Sequence, residues 1–301
     1  MIISGIPMLL GGAGASGKKA IFGYGYTGAN SSLTNLVSDA GVVAADTTGV
    51  GTARRELAAA GYGTDKAIFG YGYVSSQSSL TNLVSNTGVV AADTTGVGTA
   101  RFSLAAAGYG TDKAIFGYGF TGSVYASLTN LVSNSGVVAA NTTGVGTARL
   151  ALGAAGYSTD KAIFGYGDTG SNSSLTNLVS NTGVVAADVT GVGTARAYPV
   201  AAGYGTDKAI FGYGYVSGAV SMTNLVSNTG VVAADVTGVG TARYSLAAAG
   251  YGSDKAIFGY GFTGSVYVSL TNLVSNTGVV AADVTGIGTA RAYLAAASYG
   301  A

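Results

Sequence analysis

The heptapeptide Lys66-Ala67-Ile68-Phe69-Gly70-Tyr71-Gly72 decides how this chain is read, because it returns five more times. Its lysines are Lys19, Lys66, Lys113, Lys161, Lys208 and Lys255, spaced by 47, 47, 48, 47 and 47 residues. A period of this size marks a solenoid, propeller or array, and it overrides the soft prior of one domain per ~150 residues. Each copy continues through TNLVS, GVVAA and TGVGTAR, with Ile287 in place of the valine in the last, and closes on an alanine-rich run. Six units from Lys19 onward therefore read as one closed or stacked body.

The unit from Ala67 to Lys113 shows the local logic. Ala67 to Tyr73 sets Phe69, Tyr71 and Tyr73 at period two, which predicts a strand with all three aromatics on one face. Ser79 to Ser85 reads as a second strand, ended by the turn Asn86-Thr87-Gly88, and Val89 to Asp93 as a third, broken by Gly96 and Gly98. Leu104 to Tyr109 is the fourth, closed by Gly110-Thr111-Asp112. Alanine favours helix, but so short a run between glycines cannot sustain one. Four short strands per unit predict an all-β, six-bladed β-propeller with four antiparallel strands per blade.

Composition narrows function. The 301 residues include 51 Gly and 20 Tyr but no Cys, His or Trp, and only 9% are charged. Without cysteine there is no disulfide, thiolate zinc site or thiol nucleophile. Without histidine the commonest general base and metal ligand are gone, and the serines have nothing to activate them. The reading is non-enzymatic, with no catalytic residue, cofactor or metal site. Fourteen Lys+Arg against 13 Asp+Glu leave no electrostatic footprint for nucleic acid. A mean hydropathy of +0.41 with so little charge points to surface covered by partners.

Thr99 to Ala107 followed by Asp112 to Gly117 resembles a Kelch-type repeat: an arginine before a small-residue strand, a turn, then a hydrophobic strand ending in glycines. The resemblance covers all six units, with Gly-Tyr-Gly for the glycine pair and no tryptophan. The units are also similar to tandem repeats in proteins of marine bacteriophages. The Kelch resemblance implies that the alanine strand is innermost, KAIFGYG second, TNLVS third and GVVAA outermost. It makes closure countable, because seven segments compete for six inner places. Arg291 to Ala297 matches the consensus, whereas Pro7 to Ala13 is a degraded copy without the arginine. The C-terminal segment is thus expected to complete the first blade of a propeller spanning 18–301. Residues 1–17 are expected to form a separate apolar tail, free to dock into a neighbour or into the channel.

The units vary in two stretches: after GYG, and just after the arginine (Arg55-Glu56, Phe102-Ser103, Leu150-Ala151, Ala197-Tyr198, Tyr244-Ser245, Ala292-Tyr293). In an up-down blade both emerge on one face, opposite the constant turns. The variable face is read as a binding surface, the competing reading being drift in tolerant loops. Its candidate contacts are Tyr26, Gln77, Tyr125, Asp168, Tyr198 and Tyr267. The repeated charges, such as Asp65, Lys66, Asp93 and Arg101, are read as structural pairs rather than a ring of ligands, since blade-invariant residues serve the shared fold.

Other motifs carry less. Gly23 to Gly28 spells GxGxxG, with equivalents at Gly117, Gly165 and Gly259, but four copies leading into strand segments mark turn glycines rather than a dinucleotide site. Asp168-Thr169-Gly170 spells the aspartic-protease triplet only once, where that chemistry needs two carboxylates. Asn30, Asn141 and Asn172 open glycosylation sequons, which need a secretory route, and Met1 to Leu10 lacks the basic start of a signal peptide. The uncharged run Ala67 to Ala92 is too rich in Gly, Ser, Thr and Asn for a membrane helix. An outer-membrane barrel fits the short strands poorly, and no membrane insertion is expected. Two functions remain: a structural or adhesive virion component that contacts itself, other virion proteins or a host surface, and an autonomous lectin-like propeller, extracellular or cell-surface, that binds glycans.

Overall fold

The computed structural model describes residues 17–300, which form strands, turns and loops without a helix. The expected tail falls almost wholly outside the described residues. Eighteen strands make six antiparallel sheets of three, in a propeller-like arrangement. In sheet 2 the alanine strand Ala58–Tyr62 pairs with Lys66–Tyr73, which pairs with Gln77–Val84. Sheets 3 to 6 repeat this around Lys113–Gly117, Lys161–Asp168, Lys208–Tyr215 and Lys255–Gly259. Sheet 1 takes its alanine strand from the far end of the chain: Ala295–Tyr299 pairs with Lys19–Tyr26, from Lys19↔Tyr299 to Gly23↔Ala295. The alanine strands neighbour one another in cyclic order, with Ala295–Tyr299 lying between Ala247–Tyr251 and Ala58–Tyr62. Small side chains let six strands crowd together there.

The sheets hold three strands rather than the expected four. The GVVAA segment touches the outer strand only through single bridges, Val84↔Val90 and Thr81↔Thr94, which are out of register by one residue. Asn82 causes the break: its buried amide donates to Ala91 O at 3.0 Å and to Asp93 Oδ1 at 2.9 Å, so a side chain enters where a ladder would run. The other five sheets repeat this contact.

The aromatic alternation is also interrupted. Register slips between Gly70↔Thr81 and Gly72↔Ser78, and Tyr71 sits in the slip with φ of 65°. The bulge turns Tyr71 to the opposite face from Phe69. Phe69 packs on Ile21 and Tyr24 of sheet 1, whereas Tyr71 joins Ile68 against Phe116 of sheet 3. The middle strand is thus apolar on both faces, and Ala67, Ile68, Phe69 and Tyr71 are wholly buried. Each such Ile or Phe contributes about 1.5–3 kcal/mol on burial. Gly70 is required by closeness, since a Cβ there would stand 2.7 Å from Phe116 Cζ. The same glycine–phenylalanine contact recurs from each sheet to the next, including Gly259 of sheet 6 with Phe22 of sheet 1.

Six wholly buried arginines lock these sheets. Arg54 donates from Nε to Tyr71 O at 2.9 Å and from Nη2 to Asn82 Oδ1 at 2.6 Å, and lies 4.4 Å over the Tyr24 ring of the preceding sheet. Its Nη1 is 3.8 Å from Asp93 Oδ1, and Asp93 itself accepts from Thr52 N and Oγ1. The repeated Asp–Arg pairing is therefore structural. Burial pushes the Asp93 carboxyl up, but the Thr52 and Asn82 hydrogen bonds, with Arg54 nearby, hold it below the usual carboxylate range. Sheet 3 carries Asn141 at this position and keeps the geometry: Asn141 accepts from Thr99 N at 3.1 Å and donates to Thr99 Oγ1 at 2.7 Å.

Candidate binding face

The antiparallel path puts the Gly-Thr-Asp turns at one end of the sheet ring and both variable stretches at the other. Each end is tied by backbone hydrogen bonds between neighbouring sheets. At the turn end Gly63, Gly110, Ser158, Gly205, Gly252 and Gly300 each donate to the next sheet, at 2.7 Å, and the last two reach Lys18 and Asp65. A cavity of about 270 Å³ opens there, lined by Tyr62, Lys66 and their equivalents. Five of its lysines pair with the preceding aspartate at 2.9–3.1 Å. Lys18 stands where the other sheets have that aspartate.

The loop end is built from the residue after each arginine's neighbour: Glu56, Ser103, Ala151, Tyr198, Ser245 and Tyr293. All six hold left-handed backbone, with φ of 50–57°. That conformation, costly for residues with a Cβ, turns each amide toward the preceding sheet. Glu56 N donates to Tyr293 O, Ser103 N to Glu56 O, Ala151 N to Ser103 O, Tyr198 N to Ala151 O and Tyr293 N to Ser245 O, at 2.7–2.9 Å. Among the described residues no such bond joins Ser245 N to Tyr198 O. The unit at this gap carries Pro199 where the other five have leucine. Beneath the ring lies a cavity of about 120 Å³ walled by the starts of the alanine strands.

Around this mouth the rings form a nearly continuous belt. Tyr125, Phe120, Phe102 and Tyr73 follow one another with centroids 5.3–5.6 Å apart. Arg55 continues the belt by lying 4.7 Å over Tyr73 and 4.8 Å over Tyr26. From Tyr26 it runs through Tyr267, Phe262 and Tyr244 to Tyr198 and Tyr293, in steps of 5.1–6.1 Å. Sheet 4 interrupts it, with Leu150 and Asp168 at the aromatic positions.

The six candidate contacts fall in three places. Tyr26 and Tyr267 meet across sheets 1 and 6, their rings 6.1 Å apart. Tyr125, 37% exposed, donates from its hydroxyl to Asp168 Oδ1 at 3.4 Å, and Gln77 lies against Gly122. Tyr198 lies at the axial mouth instead. Burial raises its pKa, and Glu56, Tyr293, Asp168 and Tyr244 raise it further, so the phenol stays protonated. Sequence reasoning chose only Tyr198 from the second variable stretch. It missed Glu56, Ser103, Ser245 and Tyr293, although their shared place in the repeat could have found them. No protein-family model matches this chain, and no curated protein is significantly similar to it.

Proposed function

We propose that this chain is a non-enzymatic, Kelch-like six-bladed propeller, closed by its C-terminal strand, that binds partners through its variable face. It serves as a structural or adhesive component of a larger assembly, and the resemblance of its repeats to phage tandem repeats makes a virion the proposed setting. One observation carries the reading: the belt from Tyr125 to Tyr244 concentrates half-buried aromatics on the loop end, whereas the turn end repeats one charged pattern. Tyrosine suits a contact surface because its ring is apolar and its hydroxyl polar. A lectin-like role is the second reading, favoured by the mixed polar and aromatic mouth at Glu56, Tyr198 and Ser245.

Light scattering after size exclusion tests the first reading. Full-length chain is compared with a Tyr125→Ser/Tyr267→Ser double variant and with a chain lacking residues 1–16. Assembly by the full chain, lost in the double variant, is the expected result. A monomeric full chain that also fails to associate with the particles or cells of its source would overturn it.

A further inference from the structure

We propose that the axial mouth at the loop end is a recognition site for one neutral, hydroxylated ligand terminus, a sugar or polyol, held at Ser245 between Tyr198 and Tyr293. This rests on the reading of the loop end as a binding face and names the chemistry of its centre.

Ser245 Oγ is the one buried side-chain polar atom without a hydrogen-bond partner among the described residues. Its residue is 6% exposed and lines the axial cavity. An unpaired buried hydroxyl costs about 1–3 kcal/mol, so it calls for a partner. Ser103 provides an internal control, three places away in the ring, where sheet 3 stands opposite sheet 6. It is 7% exposed, yet its hydroxyl donates to the Glu56 carboxylate of the preceding sheet. Ser245 has Tyr198 in that place. The missing ring bond adds a second, independent observation, because Ser245 N is also the one amide of the six not tied to the preceding carbonyl. The N–H lies at the joint with Tyr198, and the hydroxyl stands near the Tyr293 phenol without a hydrogen bond to it.

The surroundings select the ligand's charge. Glu56 and Asp168 both bear on Tyr198 and oppose an anion. The Glu56 carboxylate is already engaged by Ser103 and lies 3.5 Å from Arg55 Nε, which weakens its pull on a ligand cation. A free N–H offers a cation nothing. Adjacent hydroxyls satisfy both groups: one oxygen accepts from Ser245 N–H, and its neighbour exchanges a hydrogen bond with Ser245 Oγ. The cavity of about 120 Å³ is somewhat smaller than the ~150 Å³ that admits a benzene ring, so it takes one end of a sugar or polyol. The C–H face would rest on Tyr198 and Tyr293, whose rings are 6.1 Å apart.

The test titrates the full chain with methyl α-D-glucopyranoside, methyl β-D-galactopyranoside, N-acetylglucosamine and glycerol, using ligand-observed NMR and calorimetry, with tetramethylammonium and acetate as charged controls. At least one neutral probe is expected to bind. Ser245→Ala is expected to weaken it tenfold or more with a melting temperature no lower than that of the parent chain, and Pro199→Leu to weaken it likewise by closing the gap. Tyr125→Ser/Tyr267→Ser should leave probe affinity within twofold. Sugar binding that survives Ser245→Ala but is lost in the rim double variant would overturn this site while sparing the binding-face reading. No neutral probe binding, or preference for a charged control, would overturn it too. Loss of assembly in the rim variant is a separate readout and bears only on the broader function.

Discussion

The two ends of the axis are made by the same six repeats, yet the innermost ring of backbone hydrogen bonds has six members at the turn end and five at the loop end. At the turn end glycine holds left-handed backbone at low cost, as at Gly63 with φ of 60°, and the sixth place is filled even though Lys18 replaces the aspartate. Both rings use backbone groups alone, but at the turn end five of the six donors are glycines, and Ser158 donates as they do. At the loop end each donor carries a varying side chain, and the proline of a single unit accompanies one missing bond, although Gly214 N still donates to Arg243 O across the same joint at 3.2 Å. A repeat can thus vary where side chains reach the mouth, provided the opposite end is closed by groups that every residue shares.

Substitutions can break or sharpen that contrast. The largest effect belongs to the arginine that serves both ends alike. Arg149→Met strips donors from Tyr166 O and Asn177 Oδ1 and removes the stack 4.3 Å over Tyr118. We expect a loss of about 3–5 kcal/mol in denaturant unfolding, and a change below ~1 kcal/mol, the range of an exposed pair, would show that the buried arginines are dispensable. An intermediate effect is expected from Pro199→Leu, which should make the ends alike. The restored bond contributes about 1 kcal/mol, partly offset by the greater freedom of the unfolded chain. The decisive readout is hydrogen exchange: Ser245 N–H should slow to the rate of Ser103 N–H, and an unchanged rate would separate the gap from the proline.

The smallest effect concerns charge at the turn end. Hydrogen bonding to the neighbouring lysine holds Asp65, Asp112, Asp160, Asp207 and Asp254 below the usual carboxylate range. A depressed folded-state pKa means that the contribution is present above the unfolded value of ~3.9 and is lost as pH falls through the lower folded values. Melting temperature should therefore hold from pH 7 to about 5 and decline below about 4. Lys18→Asp adds a sixth aspartate beside Lys19 and should raise melting slightly at pH 7, an increment that 1 M salt removes. A decline beginning near pH 6 would exclude these carboxylates as its cause.

Much of this architecture was legible in the repeat. The period set the number of sheets, and the arginine before Ala292 distinguished the segment that pairs with Lys19–Tyr26 from the arginine-free Pro7 to Ala13. What escaped depends on side chains acting on backbone. Alternation could not foresee that Tyr71 crosses to the other face, because a single slip in register reverses everything beyond it. Hydropathy could not foresee that Asn82 would stop a fourth strand, since its reach to Ala91 O exists only once the sheet has formed. The loop end was half legible. Variation marked the stretch around Tyr198, but the gap at Ser245 is a missing bond, marked in the sequence only by Pro199 in place of leucine.

The pairing of Lys19–Tyr26 with Ala295–Tyr299 has a consequence for biosynthesis. Sheets 2 to 6 receive their inner strand just before the middle one, across a short turn, so each can be finished as it leaves the ribosome. The first sheet is opened by the first described strand and completed by the last. Joining ends some 270 residues apart costs about 5 kcal/mol of chain entropy if the intervening chain is loose, by the (3/2)RT ln n rule. The five sheets between them shorten that loop as they form. Nascent chains halted before residue 295 should therefore carry ordered later sheets beside a first sheet with a bare edge, the species most prone to capture another copy's alanine strand.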